Sequence, residues 1–111
     1  MSGALNIFKT VTANVSTTPT DVYSTPLGYS SVVLMAQISN IDVANTIQIT
    51  AGLNRIGNVT SLISNASVPT NDAITVLTGR LIMNYGDSFQ VSASANASSQ
   101  LTLSLLETLT G

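Results

Sequence analysis

Polar and apolar residues alternate along most of this chain, the period-two pattern of β-strands with one face covered. In the first segment Leu5, Ile7, Lys9 and Val11 alternate with Asn6, Phe8, Thr10 and Thr12. Phe8 breaks the polarity of its side, so both faces of this strand are expected to be partly covered. A short strand over Asp21 to Ser24 follows a loop marked by Pro19, and stops at the Thr25-Pro26-Leu27-Gly28 turn. Ser31 to Ser39 is the most apolar segment and is expected to be a central strand covered on both faces. Thr46 to Ala51 sends Ile47, Ile49 and Ala51 one way and Thr46, Gln48 and Thr50 the other. A break or bulge is expected between Gly52 and Gly57. Further strands are expected around Val59 and Leu62, over Ala73 to Leu77, and over Arg80 to Asn84. Ser88 to Ala95 alternates Phe89, Val91 and Ala93 against Gln90, Ser92 and Ser94. Gln100 to Thr108 closes the chain with Leu101, Leu103 and Leu105 inward.

About eight short strands with regular turn signals predict an all-β protein, an antiparallel β-sandwich of jelly-roll or Ig-like type. No segment combines an apolar 3.6 period with strong helix formers. At 111 residues the chain is one domain, residues 1–111, large enough to bury a core without disulfides or metals.

Composition changes the picture in one respect. Only 7% of residues are charged, against about 25% in ordinary globular proteins, and the net charge is −2. Mean hydropathy is +0.40. A surface built from Ser, Thr, Asn and Ala leaves apolar patches, and such patches mark contacts with other subunits. Three scattered cations cannot form the basic stripe that a phosphate backbone demands, so no nucleic-acid partner is expected. No stretch approaches the roughly 18 apolar residues of a membrane helix, and no membrane partner is expected. The start Met1–Thr10 has one Lys and no long apolar core, so no secretion signal is expected. The Asn-x-Ser/Thr sequons at Asn14, Asn58, Asn65 and Asn96 follow from a composition rich in those residues.

The chain has no His, Cys or Trp. Proton shuttles, thiolate nucleophiles and soft metal cages are therefore missing, and no catalytic residue, metal or cofactor is expected. The scattered acids do not form a glycosidase pair, and no loop offers the several carboxylates that Ca²⁺ requires. Gly86-Asp87-Ser88 is a tight turn, with Asp87 bonding to nearby backbone. Arg55 and Arg80 must each be hydrated or paired. Each is a solvated turn residue, an intrachain partner of an Asp, or half of an intersubunit ion pair. Tyr23, Tyr29 and Tyr85 lie near strand ends and are expected to pack into the core. Residues 1–9 form either an edge strand of this sandwich or an arm whose Leu5, Ile7 and Phe8 add a strand to a neighbour. The candidate interface residues are thus Leu5, Ile7, Phe8, Arg55 and Arg80.

Several segments occur in a familiar order: Val11-Thr12-Ala13-Asn14, Val22-Tyr23-Ser24-Thr25-Pro26, Val68-Pro69, Leu77, Leu81, Tyr85-Gly86-Asp87-Ser88, Val91-Ser92-Ala93 and Leu105-Leu106-Glu107. In this the chain resembles the small β-sandwich virion structural proteins of tailed bacteriophages. The resemblance implies a non-enzymatic virion component made in the host cytoplasm, foremost a capsid decoration (cement) protein. Its partners would be copies of itself, in a trimer or other cyclic oligomer, and the major capsid protein or other virion proteins. A tail, baseplate or fibre component, or a receptor- or carbohydrate-binding module, is the alternative.

Overall fold

Residues 6–77, 79–96 and 98–109 are described by a computed structural model. Every element among them is a strand. In order these are β1 (Asn6–Asn14), β2 (Thr20–Ser24), β3 (Tyr29–Asn40), β4 (Ile47–Arg55) and β5 (Asn58–Val68), then β6 (Ala73–Thr75), β7 (Leu81–Met83), β8 (Asp87–Ala93) and β9 (Ser99–Leu109). The alternation that predicted them is what buries them. β9 turns Leu101, Leu103 and Leu105 into the interior, β8 contributes Phe89 and Val91, and β4 contributes Ile47, Ile49 and Ala51. Each fully buried side chain of Leu, Ile or Phe size contributes about 1.5–3 kcal/mol.

The strands form two antiparallel sheets. One runs β1-β9-β3, with β6 and β7 both on the far side of β3; the other runs β2-β8-β4-β5. The first strand pairs with the last, the second with the next to last, the third with the β6/β7 segment, and β4 with β5. That nested pairing is the jelly roll, and it decides against the Ig-like alternative, in which most partners are strand neighbours in sequence. The core lies between the sheets.

β6 and β7 are one edge strand interrupted in the middle. They face Gln37–Ser39 and Ser31–Val33 of β3, and the gap between falls where β3 slips register against β9, between Val33 and Met35. Leu34 is the extra residue of that bulge. The connection from β3 to β4 is ordered by Asp42, which accepts from the backbone N–H groups of Ala44 and Asn45 at 2.8 and 3.1 Å.

Three local expectations change. β3 is central in its sheet but covered on one face only: Ser31, Val33, Ala36, Ile38 and Asn40 are buried, while Leu34 is 42% exposed. Its apolar outward residues lie open because, among the described residues, no layer packs beyond this sheet. Second, the Gly52–Gly57 break is smaller than expected. β4 continues to Arg55, and only Ile56 and Gly57 form the turn, with φ of 52° and 82° and Arg55 opposite Asn58. Two consecutive positive φ values make a type I′ hairpin turn, matched to strand twist. Third, Tyr85 does not pack into the core; it is 63% exposed at the β7–β8 turn.

Two substitutions test these features by urea unfolding. A Cβ on Gly52 would lie 2.7 Å from the Thr60 carbonyl oxygen and 2.9 Å from Val59 Cγ1. Gly52→Ala should therefore destabilise by roughly 1–3 kcal/mol. Ile56 holds a left-handed conformation unfavourable for a β-branched residue, and Ile56→Asn should gain about 1 kcal/mol.

Candidate assembly surface

The outward face of the first sheet carries a row of apolar side chains that register alone brings together. Phe8 lies opposite Leu106, Leu106 opposite Val32, and Val32 opposite Ile82. One line thus crosses β1, β9, β3 and β7. The bulge puts Leu34 beside it, and Arg80 closes one rim of a shallow cleft of about 440 Å³. Phe8 is 76% exposed and Ile82 62%. Elsewhere on this face the outward positions of β1 and β9 are polar: Asn6, Thr10, Thr12 and Asn14, and Gln100, Thr102, Ser104 and Thr108. Cross-strand apolar neighbours reinforce each other, but such a row leaves hydrocarbon in water until a partner covers it.

Of the five expected interface residues the fold brings two together, Phe8 and Arg80. Ile7 points the opposite way, half-buried across from Glu107. Leu5 lies outside the described residues. Arg55 sits at the end of β4 in the other sheet and makes an intrachain fork, its Nε donating to Asp87 Oδ1 at 3.0 Å and its Nη2 to Oδ2 at 2.7 Å. Asp87 also accepts from the Asn84 N–H at 2.9 Å, the turn bond that its position suggested. Arg80 is exposed and makes no ion pair among the described residues. Val32, Leu34, Ile82 and Leu106 were not anticipated as surface residues. Their signal was the unbroken apolar stretches Val32–Ala36, Leu81–Met83 and Leu105–Leu106, which look the same whether a second layer covers them or not.

A second polar cluster ties the sheets at the β1/β2 side. Tyr23 of β2 donates to Glu107 Oε2 at 2.6 Å. Its one proton is thereby used, so Ser31 donates to the Tyr23 oxygen, also at 2.6 Å. Lys9 reaches Glu107 Oε1 at 3.2 Å, and Glu107 is 2% exposed. Burial, then the bond to Glu107, pushes Tyr23 up to about 12. The Arg55 guanidinium holds the Asp87 carboxyl below its ordinary value of 3.8. Among the described residues no three acidic, His or Cys side chains gather as a metal site. These clusters use their charges on each other, which makes them structural ties.

No protein-family model and no curated protein matches the sequence. Solved structures match the fold. A subunit of the disulfide-linked pili of Bacillus endospore appendages superposes with a TM-score of 0.58 at 9% identity, over 96% of this chain and 88% of that one. A chain of the T13 viral particle of IBDV gives 0.57 at 10% identity, over 99% of this chain and 32% of its own length. The nucleoplasmin-like N-terminal domain of Drosophila FKBP39 gives 0.51 at 13% identity, over 100% and 98%. The chain spans about a third of the viral-particle chain and most of the other two. At these identities the likeness is one of fold.

The clusters generate opposite pH effects. Asp87 titrates lower folded than unfolded, so its contribution is present above pH 3.8 and is lost as pH falls through the folded value. Tyr23 titrates higher folded, so its contribution is present below 10.0 and is lost as pH rises towards about 12. Urea midpoints should fall at both extremes. Arg55→Met should flatten the acid limb and Tyr23→Phe the alkaline limb, while Tyr23→Phe lowers neutral stability by roughly 1–2 kcal/mol through the lost hydrogen bond.

Proposed function

We propose that this chain is a non-enzymatic structural subunit of a bacteriophage virion, working as a capsid decoration protein that binds and stabilises the head shell. The observation that carries the reading is the Phe8–Leu106–Val32–Ile82 row, an apolar strip left open on one face of a jelly roll with very few charges. Burial of that strip against the shell would supply the adhesion, with Arg80 at its rim for an acidic or carbonyl partner. Each contact is modest. Many copies, bound to each other and to the shell, hold by avidity. The resemblance of the segment order to small virion proteins of tailed bacteriophages supports this reading, and so does the fold likeness to a chain of the IBDV viral particle.

A tail or fibre component is the second reading, favoured by the likeness to the endospore pilus subunit over nearly the full length of both chains. With no Cys, this chain would have to hold such a fibre without disulfides.

Sedimentation with undecorated phage heads separates the two. Decoration predicts co-sedimentation that saturates with the copy number of a lattice site. Phe8→Ser and Ile82→Ser, both at exposed positions, should each weaken it about tenfold without loss of fold. A folded chain that ignores shells at micromolar concentration sinks the decoration reading in favour of the tail.

A further inference from the structure

A jelly roll has four sheet edges, and this chain blocks three of them. β2 has five residues, slips register between Asp21 and Tyr23, and is flanked by Pro19 and Pro26. β5 slips twice against β4 and carries Asn65 at φ 50°. The fourth-strand position of the first sheet is broken into two pieces of three residues, with Arg80 between them. Short length, bulges, proline and charge are the devices by which proteins prevent edge-to-edge pairing.

β1 is neither short, bulged nor interrupted by proline: it runs nine residues and pairs with β9 at nine successive positions without a slip. Among the described residues no strand covers its other side. Its single charge is Lys9, the usual edge guard, but Lys9 is turned to the buried Glu107. About 30 Å of regular, unguarded strand edge is left.

The geometry points to β1 as a site of antiparallel strand pairing with β1 of a second copy of this chain, continuing the sheet across a two-fold axis through Thr10. The occupant follows from the strand's self-complementarity. Antiparallel partners that keep a common outward face must pair even with even positions. With Thr10 on the axis, all nine residues pair. Asn6 then meets Asn14, Phe8 meets Thr12, Thr10 meets itself and Lys9 meets Val11, so no like charges oppose each other. Centring on Lys9 instead would set Lys against Lys. The net charge of −2 per chain adds little repulsion. Two-fold closure is also the commonest way in which copies assemble. The two apolar rows then lie on one continuous face. This deepens the self-association in the virion reading but stands on the edge geometry alone. A chain that dimerises through β1 yet ignores shells would refute decoration and leave this inference intact.

The test is native mass by light scattering, on the purified chain and on Thr10→Lys and Thr10→Glu, from micromolar to several hundred micromolar. Thr10 is exposed, so either charge is tolerated in the folded chain. The wild type should be dimeric. Each variant alone should dissociate at least about tenfold more readily, and an equimolar mixture of the two should recover the dimer, since opposite charges then face each other. Thr102→Lys, on the same sheet face but on the interior strand β9, should leave the dimer unchanged. A monomeric wild type, single variants that remain dimeric, a mixture without recovery, or equal disruption by Thr102→Lys would each overturn the inference.

Discussion

Strand β9 is the element on which both surfaces of the first sheet depend. Its inward Leu101, Leu103 and Leu105 fill the space between the sheets, and its outward Leu106 sits in the middle of the exposed apolar row. It also sets register on both sides, pairing with nine residues of β1 and eleven of β3. A one-residue slip of β9 would exchange its leucines for Gln100, Thr102 and Ser104, so the buried face holds the register in place. The same constraint aligns Phe8, Leu106, Val32 and Ile82. Because Asn6 pairs with Thr108, the sheet closes only when the two ends of the chain meet, the kind of long-range contact that makes jelly rolls slow to fold.

Scarcity of charge shapes the rest. Lys9 with Glu107 and Arg55 with Asp87 form ion pairs within the chain, and each pair closes one place where strands end or sheets meet. A buried carboxylate is stable only when its oxygens find donors, and Glu107 finds them in Lys9 and Tyr23. The consequence reaches the outside. A lysine that would guard the β1 edge is drawn away from it, and Arg80 is left as the cation beside the apolar cleft. The fold and the character of the outer surface therefore depend on the same few side chains. A surface of hydroxyls and amides costs little to desolvate compared with ammonium and carboxylate groups.

Alternation along the chain was enough to establish the all-β class, the strands near their observed bounds, and the inward sets Ile47/Ile49/Ala51, Phe89/Val91/Ala93 and Leu101/Leu103/Leu105, because a strand buries every second residue wherever it lies in a sheet. Composition pointed to open apolar patches, whereas Phe8, read as a sign that both faces of its strand are partly covered, is 76% exposed. Periodicity says which residues share a side, but not whether a second layer covers that side. That is why Val32 and Leu34 passed as core and Tyr85 as packed. It is equally silent on which strands pair. The jelly-roll order, the row across β1, β9, β3 and β7, the Tyr23–Glu107 tie and the contrast between three blocked edges and one open edge all join residues distant in sequence. Only tertiary structure decides such neighbours, since they follow from the closure of one sheet over the other.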